Sequence, residues 1–240
     1  MRRSCFQTRA LSAQVTGLPV TVLMATKPKL AFITFYTALV YGVLYLFFEV
    51  FPIAFEEDRS WPFGTSSLPF LAEVVGILAA AGLVVAQNLV QRRSLRRGVD
   101  AKASPSARLP LMILGGCLLP AGLFWFAWTS NPGVPWPPQV IAVGFIATGL
   151  LLVYMQSITY LVDCYTDVAN SAISANTSVR ALLGAGFPMF ATPFYHGLGV
   201  AWATSLLGFV CALMVPLPIL FAYMHRSGKR FGDSDRGSAV

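Results

Sequence analysis

Thr37, Tyr41, Tyr45 and Glu49 follow one another at intervals of four residues. A helix through them carries a hydroxyl, two phenols and a carboxylate along one face. Such a row suits a wet cavity: phenol rings can wall an organic cation or stack on a ligand, and a carboxylate can hold a cation or a proton. Asn176, Thr177, Arg180 and Gly184 form a second set at i, i+1, i+4 and i+8. Arg180 is the most demanding of these residues because its neighbours in sequence are small or apolar. Such a guanidinium either ties helices together through carbonyls or a carboxylate, or it binds an anion or keeps a nearby acid charged. Gln156, Tyr160 and Asp163 recur at i, i+4 and i+7, and Glu73 leads into a small-residue face of Gly76 and Ala80.

The elements that must position these side chains follow from composition. Of 240 residues, 56% are hydrophobic and 11% charged, against roughly a quarter charged in an ordinary soluble domain. Mean hydropathy is +0.66, and the apolar residues come in blocks of about twenty, the length that crosses a ~30 Å hydrocarbon layer as helix. The blocks predict six transmembrane helices, at about 29–53, 67–89, 109–128, 138–162, 170–193 and 202–224. Between them stand Glu56 to Pro62, Asn131-Pro132-Gly133 and His196-Gly197-Leu198-Gly199, read as polar or broken connections. Residues 1–28 are expected to form a cytoplasmic or interfacial lead-in, since Lys27-Pro28-Lys29 stands where a signal peptide would need small cleavage residues.

The charges test this topology. Lys and Arg gather in the N-terminal segment (Arg2, Arg3, Arg9, Lys27, Lys29), in the basic loop 90–108 (Arg92, Arg93, Arg96, Arg97, Lys102, Arg108) and in the tail 225–240 (Arg226, Lys229, Arg230, Arg236). Only Arg59 stands on the opposite side. Positive charge marks the cytoplasmic face, so an even number of spans with both termini in the cytoplasm is expected. The net charge of +7 is then an orientation signal, and a nucleic-acid partner is not expected. In this frame Arg180 lies roughly 15 Å from the inner end of its helix, where an arginine costs at least ~2.5–3.5 kcal/mol. Asp163 falls at the inner surface as a helix-end or gate residue, and Glu49 and Glu73 both fall in the outer third, where two carboxylates that met would hold a transferable proton.

The four cysteines lie far apart and neither histidine clusters with them, so no disulfide framework or metal site is expected. No catalytic motif is present, among them HExxH, GxSxG and the phosphate-binding loop. The third and sixth spans carry no ionisable side chain and are expected to face lipid, whereas the other four are expected to be buried against protein or a cavity. Two buried and one peripheral, repeated, is the pattern of inverted three-helix units in half of a secondary transporter.

The runs VYGVLYLFFEVFP (40–52), GLFWFAWTS (122–130), YLVD (160–163) and SAISANTSVRALLGAGFPMF (171–190) resemble the C-terminal half of fungal major facilitator superfamily transporters. The similarity points to the twelve-span drug:proton antiporters that include polyamine exporters, and it runs from about residue 29 to 230. It implies an all-α membrane fold, one six-helix bundle of the two that enclose a central cavity, with alternating access by rocking. It also implies proton-coupled efflux of cationic or amphipathic small molecules, with the proton gradient as driving force and no bound cofactor. Glu49, Arg180 and Asn176 match positions in the family runs and are carried over as site residues; Tyr41, Tyr45, Gln156, Glu73 and Asp163 rest on the residue reading alone. The N-terminal bundle has no counterpart here, nor do its signature loop and antiporter motif. The expected partners are therefore the lipid bilayer, a small-molecule substrate, and either a missing N-terminal half or a second six-span chain; the alternative function is a transport-dead half that binds or regulates. The plasma membrane is expected ahead of the vacuolar membrane.

Overall fold

The computed structural model describes residues 28–96, 109–131, 133–164, 169–216 and 218–219. Within them stand six long helices: α1 (Pro28–Phe51), α2 (Pro69–Arg96), α3 (Leu109–Thr129), α4 (Trp136–Cys164), α5 (Ala169–Leu198) and α6 (Val200–Met214). There is no strand among the described residues. Proline marks the starts: Pro28 and Pro69 are the first residues of α1 and α2, Pro110 the second of α3, and Pro137 and Pro138 follow Trp136 in α4. Its fixed φ suits the first turn, whose N–H groups have no partner inside the helix.

Several boundaries differ from the sequence reading. Pro52 does not end the first helix but opens a wider π-helical stretch, Pro52–Glu57, closed by Asp58 N–H donating to the Ile53 carbonyl at 3.0 Å. α2 continues seven residues past the expected end and takes Arg92, Arg93 and Arg96 into helix. α5 runs through Pro188 and Pro193 to Leu198, so the His196-Gly197 segment is helix rather than loop. The turn into α6 is Gly199 alone, at φ 77°, a conformation open to glycine. α6 is helical as far as Met214, and most of the remainder of the expected sixth span lies outside the described residues, as do the lead-in, the rest of the basic loop and the tail.

α1 buries Ile33, Tyr36, Val40, Val43, Phe47 and Val50, an alternating three-and-four spacing that keeps one seam against its neighbours. At the C-terminal end of that seam Phe47 meets Phe51 and Phe126, ring centroids 4.9 and 5.1 Å apart. α1 packs chiefly on α5, α2 chiefly on α4, and α3 lies between α4 and α6. The first helix of each triplet thus pairs with the second helix of the other, the relation an inverted repeat produces.

The close approaches rest on small residues, as expected where lipid removes the hydrophobic drive for helix association. A Cβ on Gly76 would lie 2.3 Å from the Gly144 carbonyl oxygen, and one on Gly149 would lie 2.7 Å from the Leu119 nitrogen. Thr148 Oγ1 adds a bond across the first contact, donating to Gly76 O at 3.0 Å or Gly144 O at 2.8 Å. Two burial expectations are corrected. α3 is not peripheral all round, since Leu119, Leu123 and Phe126 are buried while Trp125 and Trp128 point outward. α2 is not a buried helix: Val75, Leu78 and Val90 are 62–66% exposed, because α4 covers one narrow face and α1 meets it only near Phe70.

Candidate functional site

A cavity of about 330 Å³ opens between α1, α2, α4 and α5. α1 contributes Thr37, Val40, Tyr41, Leu44 and Phe48, α2 Glu73 and Ile77, α4 Ala147, Leu150, Leu151 and Tyr154, and α5 Arg180. Gly184 lets α5 close on the tyrosine-bearing face of α1: a Cβ there would lie 2.9 Å from the Tyr45 ring and 3.3 Å from that of Tyr41.

Arg180 is the centre of this arrangement. Its guanidinium carbon lies 4.5 Å from the Tyr41 ring centroid and 4.9 Å from that of Tyr154, so phenol rings from two helices hold one cation. Each contact is worth about 0.5–2 kcal/mol depending on desolvation, so the pair offsets much of the ~2.5–3.5 kcal/mol that an arginine costs at this depth. No hydrogen bond or ion pair joins Arg180 to another described residue. The guanidinium is therefore held by its position over rings and keeps its in-plane N–H donors unengaged.

The other expected site residues fall in different places. Tyr41 and Tyr45 meet hydroxyl to hydroxyl at 3.3 Å, with ring centroids 5.0 Å apart. The cation on Tyr41 is the chain's own Arg180. Asn176 is buried and donates through Nδ2 to Thr37 Oγ1 at 3.3 Å, fastening α5 to α1 beside the cavity, while the Thr37 hydroxyl donates to the Ile33 carbonyl. Gln156 is buried and donates to Gln87 Oε1 at 3.1 Å, a clasp between α4 and α2 outside the cavity lining. Glu73 lines the cavity, half-buried. Glu49 is exposed and does not line it, so this half does not gather the two carboxylates into one site. Asp163 is half-buried in the last turn of α4, away from the cavity. The residue missed from the sequence is Tyr154. It belongs to the face Ala147, Leu150, Leu151 and Tyr154, whose i, i+3, i+4, i+7 spacing was legible but whose other members are apolar.

Arg59, in the loop between α1 and α2, has a structural task. It donates to the carbonyls of Val134 at 2.8 Å, Thr129 at 2.9 Å and Asn131 at 3.3 Å, satisfying the end of α3 and the turn into α4. Ser66 donates to Glu56 at 2.5 Å, and His196 stands 3.6 Å from Glu57, linking the end of α5 to the π-helical stretch after α1. Desolvation, reinforced by Glu57 beside it, pushes the Asp58 carboxyl above the usual carboxylate range.

Four helices among the described residues are long and apolar enough to cross a membrane: Ala31–Glu57, Gly64–Arg93, Leu109–Thr129 and Trp136–Asp163. α5 is long enough at 30 residues but more polar, and α6 is apolar over 15. No metal-holding cluster of side chains occurs among the described residues. Two interlocked helix triplets around a part-polar cavity, four of the helices long and apolar enough to span a bilayer, are the architecture of one half of a secondary-transporter fold. The chain is 49% identical to the MFS-type transporter traF of Penicillium crustosum over 210 residues, 87% of this chain and 43% of that protein. It is also 49% identical to the MFS-type transporter oryN of Aspergillus oryzae over 218 residues (90% and 41%) and to the citrinin biosynthesis cluster MFS transporter mrr1 of Monascus ruber over 203 residues (84% and 40%). Over most of its length the chain is similar to transporters of the major facilitator superfamily, and it spans about two-fifths of the length of the curated relatives it matches. No family model matches it, and no solved structure matches.

Proposed function

We propose that the chain acts as the C-terminal six-helix half of a secondary transporter that exports small amphipathic molecules at the expense of the proton gradient. The observation that carries this reading is the cavity among α1, α2, α4 and α5, which sets a fixed cation, Arg180, and a protonatable carboxyl, Glu73, in an apolar wall. A volume of about 330 Å³ falls at the lower end of the range for small-molecule sites, as suits one half of a shared chamber. Relatives named for citrinin and ascochitine biosynthesis clusters support a cargo made by the producing cell. The broad apolar face of α2 and exposed Met189 and Phe190 of α5 suit docking against an N-terminal bundle or a second six-span chain. In this reading Glu73 carries the proton, Arg180 sets the charge of the cargo, and both termini lie in the cytoplasm of a plasma-membrane protein.

The experiment is proton-gradient dissipation in inside-out vesicles from cells that make the protein, read with a pH-sensitive dye as amphipathic compounds are added. Dissipation in the wild type and its loss in Glu73→Gln are expected. A transport-dead regulatory half would bind such compounds and dissipate nothing. Equal dissipation by Glu73→Gln would remove Glu73 from the proton path.

A further inference from the structure

Resting on the transporter reading above, we infer that the ligand of this cavity is an amphipathic organic acid whose carboxylate takes the in-plane edge of Arg180. The argument starts from what Arg180 lacks. A guanidinium has two faces and a planar edge with five N–H donors, and the edge matches a carboxylate bidentately. Here the guanidinium carbon lies over the Tyr41 and Tyr154 rings at 4.5 and 4.9 Å, while the N–H donors make no hydrogen bond or ion pair with any described residue. Contact with rings from α1 and α4 limits the rotamers of the side chain, so little ordering entropy is lost when an anion arrives.

The surroundings favour the same class. Glu73, the other charged lining residue, makes no ion pair with Arg180 and leaves its positive charge uncompensated. The remaining wall is mainly aliphatic and aromatic, with Leu44, Phe48, Ile77 and Leu151 able to receive a ring system. A positive charge within an apolar wall is not screened as it would be in water, so an anion is drawn in and a cation repelled. An organic cation, the cargo expected from Tyr41, Tyr45 and Glu49 in sequence, would find the Tyr41 face in use and Glu49 outside the cavity lining.

The test uses the protein at whatever length its host makes it, purified through a tag on its tail and placed in nanodiscs. Equilibrium dialysis compares three probes of one shape: 1-naphthoate, 1-naphthamide and 1-naphthylmethylammonium. Naphthoate is expected to bind about tenfold more tightly than the neutral amide, and the ammonium most weakly. In Arg180→Gln the preference for naphthoate over the amide should disappear, with an unchanged far-UV circular dichroism spectrum showing that the variant is folded. Arg180→Lys should recover part of the preference, since it keeps the charge and loses the planar fork. Tighter binding of the ammonium, or a naphthoate preference that survives in Arg180→Gln, would overturn the assignment of charge and leave the transporter reading standing. Failure of all three probes to bind the wild type would overturn both the assignment and the cavity as a small-molecule site.

Discussion

Gly76→Ala is a one-carbon change whose cost follows from the contact between α2 and α4. The added Cβ would lie 2.3 Å from the Gly144 carbonyl oxygen and 2.9 Å from Ala147 Cβ, where ordinary contact begins at 3.4 Å. The obstructing atom is backbone, so no side chain can swing aside and the helices must separate by about 1 Å. Such a shift would lengthen the Thr148 Oγ1 to Gly76 O bond, now 3.0 Å, to about 4 Å, beyond hydrogen-bond range. Overpacking costs ~1–3 kcal/mol and the lost bond ~0.5–1.5 kcal/mol, so a loss of about 2–4 kcal/mol is expected. SDS titration in mixed micelles, followed by far-UV circular dichroism, reads it. Gly82→Ala on the same helix is the control: nothing lies within 4 Å of its Cβ, and better helix propensity should stabilise it by up to ~1 kcal/mol. Since Glu73 rides on α2, binding to the cavity should weaken in Gly76→Ala alone. Equal stability of the two variants would show that α2 and α4 do not meet through Gly76.

Arg59→Ala should cost about 1–3 kcal/mol in the same titration, discounted for partial exposure of the three carbonyl bonds; Arg59→Lys should recover less than half, and a neutral result would deny the clamp. Tyr154→Leu removes one of the two rings that hold Arg180 and should cost about 0.5–2 kcal/mol, whereas Tyr154→Phe keeps the ring face and should cost much less; equal losses would mean that the hydroxyl, which both variants lack, matters there and the ring face does not. Asp58 gives a pH dependence of known sign. Its folded-state carboxyl is raised above its ordinary value, so wild type loses stability as pH rises through the carboxylate range, because folding must then desolvate a charge. Asp58→Asn should be slightly the more stable protein near neutrality, with the difference vanishing in acid; a difference that grows in acid would reverse the sign.

Fold class was legible in the sequence, for reasons that can be named. Apolar block length depends on the bilayer rather than on tertiary contacts, so it survives in a linear reading. The polar row from Thr37 to Tyr45 follows from helical spacing. Partnerships were not legible. Asn176 and Thr37 are 139 residues apart, and Gln87 and Gln156 are 69 apart, so no local pattern pairs them. Tyr154 was hidden because its helix face is otherwise apolar, and a search for polar residues passes over a ring that serves by its π-face. The His196-Gly197-Leu198-Gly199 segment suggested that the fifth span ends near residue 193, but α5 continues to Leu198. The exposure of α2 depends on what lies beside this half, which its own residues do not encode.

The Arg59 clamp bears on how the chain is made. Its guanidinium sits in the loop between α1 and α2, yet its acceptors come 70 to 75 residues later in the chain. During synthesis α1 and α2 are therefore made with that loop unfastened, and it can close only after α3 has emerged and the turn into α4 has formed. The carbonyls at the end of α3 are likewise without this donor until the two loops meet. Closure of the clamp thus waits on the last of these segments to be made and ties the two loops at this end of the bundle into one unit.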